Sequence, residues 1–456
     1  MSATATLGGV PLATSLSVGA VVAAAVGAAL VIALLAAAMR RYEEAFPLLA
    51  VLALPFRLPV SADGRTVNLL IPLYLVVAAG ALAHLLPRLI SREERGFGRL
   101  EWLLLASVLL YAVQGAYSPD RAKAGENLAF FYVPFGLLFL LLREVRWTRE
   151  LLLRCLGVAV VLAIAFAGVG FVEYARKELF LNPKVVAANQ FDNYFRVNSL
   201  FFDPNIYGRF LALVMIAVST VVLWSRRRRE VLVGAGVLAW LLAGLVTSFS
   251  QSSIAALLLG LAVLAAYRWS VRWTLAAAAG LLALALLVVL LAPASVHFGL
   301  KGNGGSTQNA SNGRTKLIEG GLELFAKRPL QGYGSGSFQH EYELHSKATA
   351  ENATSASHTI PITVAAEQGL IGFALYVALL VLAFLTLFRD AGRSPPRIAL
   401  AACFAALVLH TFTYADFLED PLTWTLLGIG LALARADPEP QGTPETGHAA
   451  PAPAPA

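Results

Sequence analysis

Charge is scarce in this chain. Asp, Glu, Lys and Arg make up 14% of its 456 residues, against 58% hydrophobic residues and a mean hydropathy of +0.68. Such a balance excludes a soluble globule, because apolar runs long enough to cross a bilayer recur along the chain. Cysteine is scarcer still. Cys155 and Cys403 both fall in apolar runs, so neither a disulfide framework nor a cysteine metal site is available. No HExxH motif and no Cys/His ligand spacing occurs, and the Gly-rich stretch at 332–336 lacks the GK[ST] ending of a P-loop. No metal, cofactor or nucleic-acid partner is expected. An internal repeat of the kind many transporters carry is also missing.

What the chain does have is apolar runs. They fall near residues 16–39, 45–56, 67–87, 102–117, 127–142, 151–172, 204–224, 231–248, 253–267, 274–294, 369–388, 398–415 and 422–434. The second and ninth are short for a span at about 1.5 Å per residue, so the expectation is an all-α polytopic membrane protein with 12 or 13 transmembrane helices. The first run is preceded by no charged side chain and followed by Arg40 and Arg41, the reverse of a secretory signal, and reads as a retained span. Ionisable groups inside the runs are few, chiefly His84, Arg154 and His410.

Orientation follows from the connectors. Arg88, Arg92, Arg95 and Arg99 share one; Arg143, Arg146 and Arg149 another; Arg226 to Arg229, Arg268 with Arg272, and Arg389, Arg393 and Arg397 mark three more. All five lie on one side if the spans alternate, and that side is expected to be cytoplasmic. The polar matter then faces outward. Expected divisions are N-terminal spans over 1–174, an extracytoplasmic segment over 175–203, central spans over 204–294, a long outward loop with amphipathic helices over 295–357, C-terminal spans over 358–436 and a Pro/Ala-rich disordered tail over 437–456.

The outward segments carry the candidate site. Asp203 followed by Pro204 reads as an N-cap and first helical residue, with Asn205 next. Arg196 precedes that start among Phe195, Leu200, Phe201 and Phe202, which draw it to the bilayer interface, where snorkelling to lipid headgroups is the ordinary role. In the long loop, Arg314, Leu317, Ile318, Gly321, Leu322 and Phe325 fall on one face of a helix, which would lie on the membrane with Arg314 at the head of its inward stripe. A guanidinium there meets an anion near the membrane plane, either phospholipid phosphate or a diphosphate-linked substrate. The run from Pro329 to Ser337 ends this helix in glycine-rich backbone, which can cradle phosphate or permit tight packing; packing is the expectation. His358 sits just before Pro361 and a new helix, and a helix N-terminus favours the neutral imidazole that a general base needs.

Three stretches together carry a resemblance: RVNSLFFDPNIYGR at 196–209, NGRTKLIEGGLELFAKRPLQGYGSGSF in the loop, and SHTIPITVAAEQGLIGFALY after it. The chain resembles the O-antigen ligase and O-antigen polymerase family, with an Arg before a helix start, a loop helix opening with Arg and closing on Pro-Leu-x-Gly-x-Gly, and a His before a helix bearing Glu367 and Gly-Leu-x-Gly. The resemblance implies a metal-independent, inverting membrane glycosyltransferase. Its donor would be a glycan on undecaprenyl diphosphate, and its acceptor a lipid or other cell-envelope glycan at the outer side of the bacterial plasma membrane. It implies that Arg196 and Arg314 bind the diphosphate and that His358 takes the acceptor proton. Asn205, Gln251 and Glu367 complete the expected substrate-binding set, with Glu367 as the alternative base. One departure stands out: the turn after the eighth span reads Phe249-Ser250-Gln251-Ser252, where many members carry an arginine. A ligase is the leading expectation because one outward loop is much longer than the rest; a polymerase and a transporter or flippase are the alternatives.

Overall fold

A computed structural model describes residues 18–62, 65–91, 96–181, 195–277, 279–280, 306–346, 357 and 359–436. The fold is helical and polytopic. Helices α1 (Val18–Arg41) and α2 (Ala45–Ala53) lead to a two-stranded antiparallel hairpin, Leu58–Ala62 with Arg65–Leu69. Then come α3 (Ile71–Arg88), α4 (Arg99–Tyr117), α5 (Arg121–Leu142) and α6 (Arg149–Arg176). The central group is α7 (Pro204–Trp224), α8 (Arg228–Thr247) and α9 (Gln251–Arg268). The loop helices are α10 (Ser306–Lys327) and α11 (Phe338–Ser346), followed by α12 (Ile360–Phe388), α13 (Pro395–Thr411) and α14 (Pro421–Arg435).

Nine of the described helices are long and apolar enough to span a bilayer, and α13 is a shorter apolar helix of the same kind. The expected span at 274–294 and the tail at 437–456 lie mostly or wholly outside the described residues. The two short runs come out differently. The ninth is an 18-residue helix, α9. The second is a helix of nine residues, which spans only about 14 Å at 1.5 Å per residue. The chain still passes from one face to the other there: Glu44 at its start pairs with Arg154, and Leu54, Pro55 and Arg57 beyond its end line a small cleft with Phe201 and Asp420.

The arginine-bearing ends gather on one face and tie to one another. Glu101 at the start of α4 takes both Arg143, at 2.6 Å, and Arg435, at 2.5 Å, and Arg88 reaches Glu144 at 2.8 Å. On the other face lie the start of α7, the turn between α8 and α9, the loop helices and the start of α14. Two apolar clusters fill the bundle. One joins α1 to α5 with α12 and α14, and the second joins α6 to α9; α13 contributes to both. Helix α7 is the most enclosed span, and Ala402 and Ala406 of α13 are fully buried in its cluster, where small side chains let helix backbones approach closely. Arg209, inside the apolar run of α7, is 1% exposed and pairs with Asp420 at 2.6 Å. An unpaired charge there would be costly, so this contact locks α7 to the start of α14.

Candidate functional site

Asp203 accepts a hydrogen bond from the Asn205 backbone at 2.6 Å, and Pro204 supplies the first helical φ without an N–H to satisfy, so α7 starts where the sequence places it. That start fixes Asn205. Its Oδ1 accepts from Arg196 Nη2 at 3.3 Å and from Ser250 Oγ at 2.9 Å. Arg196 Nε also donates to the Ser248 carbonyl at 3.2 Å, and the next residue, Val197, donates to Thr247 O at 3.2 Å. Half-buried Arg196 is therefore anchored to the turn between α8 and α9, beside the first residues of α7 and α9. Ser250 caps α9, while Ser252 and Ser253 each sit 3.2 Å from Nε2 of the fully buried His410. Gln251 opens α9 and is exposed. The structure thus brings three expected residues, Arg196, Asn205 and Gln251, to one place. Two helix N-termini and a guanidinium there form a setting suited to an anion.

Glu367 belongs to a second constellation. It lies on α12 two residues before Gly369, whose φ of +64° breaks the helix. In an unbroken helix Leu370 and Ile371 would donate to the carbonyls of Ala366 and Glu367. Instead they donate to Pro329 O at 2.7 Å and Leu330 O at 3.4 Å, while those two carbonyls accept from Tyr333 and Gly334 at 3.3 and 2.8 Å. The glycine-rich turn is spliced into the helix ladder. Both Glu367 carboxylate oxygens are also engaged, by Gly336 N at 2.9 Å and Phe338 N at 3.0 Å. Gln114 of α4 donates to Gln331 O and Gln368 O, each at 3.2 Å, and closes the joint from the other side. The glycines are needed for contact: a Cβ on Gly332, at φ +67°, would stand 2.2 Å from Glu367 O. With the backbone N–H groups of Tyr333, Gly334, Gly336 and Phe338 given to 366–367, the turn serves packing, and Glu367 anchors it.

Helix α10 is present and includes residue 314, but the Arg314 side chain and His358 lie outside the described residues. The apolar stripe of α10 is phased slightly differently from the expectation. Leu317, Gly321 and Leu324 are buried, whereas Leu322 is 48% exposed. The reason is packing: Leu317 and Leu324 meet Tyr333, Phe338, Tyr342 and Ala366, so this edge faces α11 and α12. Next to His358 in sequence, Ser357 binds Thr363 Oγ1 through its backbone N–H at 3.0 Å, and Thr359 Oγ1 donates to Phe412 O at 3.1 Å.

Sequence reasoning passed over several residues. Arg209 was hidden in an apolar run. Glu173, fully buried at the end of α6, accepts from Ser199 N at 2.7 Å and Phe180 N at 3.1 Å and so holds the chain leading to Arg196. Glu419, half-buried before α14, takes Asn127 Nδ2 at 2.9 Å. Burial, then Asp416, push the Glu419 carboxyl up to about 8, with Glu367 and Glu126 acting the same way and Lys123 against them. The folded chain therefore keeps a proton that the unfolded chain releases near 4.5, and the stabilisation this gives is full below that pH and lost as pH rises through about 8. Thermal melts of Glu419→Gln, which cannot ionise, are expected to decline less than wild type between pH 5 and pH 9. Parallel declines would remove Glu419 from the titration.

These features define a polytopic membrane protein with a polar site on the face opposite the tied ends at Arg88, Arg143 and Arg435. Residues 236–377 match the family model described as O-antigen ligase. That match, over about a third of the chain, makes it similar to the O-antigen ligase and polymerase family and supports a membrane enzyme of glycan transfer. The matched stretch runs from α8 through Gln251, α10 and the glycine turn into α12; Arg196 and Asn205 precede it. No curated protein matches the chain.

Proposed function

We propose that the protein transfers a glycan from an undecaprenyl-diphosphate carrier to an acceptor hydroxyl at the outer face of the bacterial plasma membrane, as an O-antigen ligase does. The observation that carries this reading is Arg196, held by Asn205 and Ser248 beside the N-termini of α7 and α9. In the reaction the acceptor O–H gives its proton to His358, its oxygen bonds to the anomeric carbon from the side opposite the carrier, and the bond from that carbon to the diphosphate oxygen breaks. The electron pair leaves with the diphosphate, and configuration inverts. Arg196 and Arg314 stabilise the developing charge through charge-assisted hydrogen bonds, so the mechanism requires no divalent cation, and Gln251 adds a neutral donor. Transfer is expected to be indifferent to EDTA.

The transporter alternative fits less well. Transporters keep ionisable groups at the midplane for substrate or ion coupling. Here the buried Arg209 is paired with Asp420 and His410 is bound by two serines.

The deciding assay incubates solubilised protein with a labelled undecaprenyl-diphosphate glycan and separate acceptors. Transfer to a lipid-core acceptor supports the ligase; extension of a lipid-linked chain makes it a polymerase; no transfer to either overturns the reading. Arg314→Lys keeps the charge but loses the planar fork, and is expected to lose donor use by about tenfold or more. Arg196→Ala is expected to weaken donor use less, and full activity of Arg314→Ala would return Arg314 to lipid anchoring. The orientation is checked separately: cysteines placed at Ser306 and Ala348 should label from outside intact cells, and those at Ser225 and Gly392 should not.

A further inference from the structure

A cavity of about 70 Å³ lies apart from the Arg196 site, between α4, α5, α12 and the loop before α14. At roughly 10–15 Å³ per water it holds a few waters, or one short arm of a larger molecule, but not a whole sugar ring. Its walls combine aromatic faces with hydrogen-bonding groups. Tyr111 and Tyr132 stack with ring centroids 4.1 Å apart, and Phe417, Gln368, Glu367 and Glu419 complete the polar and apolar lining.

Besides the Tyr376 hydroxyl, two groups there have capacity to spare. Tyr132 is 7% exposed, lines the cavity, and its hydroxyl has no hydrogen-bond partner among the described residues. It ends a π-helical turn, Leu128–Tyr132, a local distortion common at functional sites. Glu419 uses one oxygen to accept from Asn127, whose Nδ2 also contacts Tyr111 Oη at 2.9 Å; the second Glu419 oxygen has no partner among the described residues. An anion would find no Lys, Arg or His among the described lining residues. A simple cation has no use for the tyrosine donor. A hydroxyl, which both donates and accepts, uses Glu419 and Tyr132 together, and the tyrosine and phenylalanine faces suit the C–H edge of a sugar.

We infer that this cavity receives a hydroxyl-bearing arm of the acceptor saccharide, with the Tyr132 hydroxyl and the second Glu419 oxygen both hydrogen-bonded to that hydroxyl. The inference rests on the glycan-transfer reading and extends it. An acceptor fits better than the donor because the cavity is separate from the Arg196 site and its described lining has no Lys, Arg or His to meet a diphosphate. Ile360 and Thr363, in the first turn of α12 just after His358 in sequence, also line it.

The test uses the full chain in nanodiscs, methyl glucoside and N-acetylglucosamine at millimolar concentration, and saturation-transfer NMR. Saturation of sugar protons is expected in wild type and in Arg314→Ala. Affinity should fall about tenfold or more in Glu419→Ala and in Tyr132→Phe, since each removes a hydrogen bond. In the transfer assay the same two variants should raise the acceptor KM by a similar factor and leave the donor KM unchanged. Binding of neither sugar, or binding equal in wild type and both variants, overturns the subsite. Normal transfer with unchanged acceptor KM in both variants also overturns it while leaving the glycan-transfer reading intact. Sugar binding that depends on Glu419 and Tyr132, in a protein that transfers no glycan, supports the subsite and removes the transfer reading instead.

Discussion

Replacement of His358 by alanine is expected to lower glycan transfer by about 10²–10⁴, the contribution typical of a positioned general base. An acceptor hydroxyl is a poor nucleophile until its proton is removed. The variant should still bind the lipid-linked donor, because the proposed diphosphate contacts are those of the arginines, so the loss should appear in kcat and not in donor affinity. Wild-type activity should climb with pH as the imidazole loses its proton, and this limb should vanish in the variant. Loss of donor binding with an unchanged pH profile would make His358 a positioning residue. Glu367 is then a poor substitute as base, since both its oxygens already accept backbone N–H groups of the glycine turn.

Gly369→Ala is expected to cost about 2–5 kcal/mol, combining a left-handed φ with an overpacked contact. At φ +64° its new methyl would stand 2.3 Å from Leu330 O and 2.7 Å from Gly332 N, both backbone atoms that cannot turn aside. The joint between the turn and α12 should open, lowering the melting temperature and the yield of folded protein. Gly157→Ala serves as the control, because nothing lies within 4 Å of its added carbon, and it should melt like wild type. Equal melts for the two variants would show that the joint contributes little to stability.

Much of this was legible because it is local or periodic. The Asp203-Pro204 cap and Pro361 in the first turn of α12 need only neighbouring residues, and the sidedness of the bundle needs only the spacing of arginines between apolar runs. What escaped depends on distant partners. Arg209 drew no reading from sequence, because its partner Asp420 lies on a distant helix start. The covered edge of α10 is set by Phe338 and Tyr342 on α11 and Ala366 on α12, partners that the spacing within α10 does not reveal. The Gly-x-Gly run and the Glu-x-Gly pair were each visible as motifs, but nothing in sequence reveals that they complete one hydrogen-bond ladder. The Glu419 and Tyr132 cavity draws on four elements, each unremarkable alone.

That shared ladder bears on how such enzymes exchange parts. Amides of α12 are satisfied by carbonyls at 329–330, and carbonyls of α12 by amides at 333–334. A chimera that imports a foreign loop ending before residue 366 would therefore leave a transmembrane helix with mismatched bonds at residues 366–371. Residues 329–338 and 366–371 form the smallest unit that recombination can move intact, and grafts meant to alter acceptor choice have to carry both.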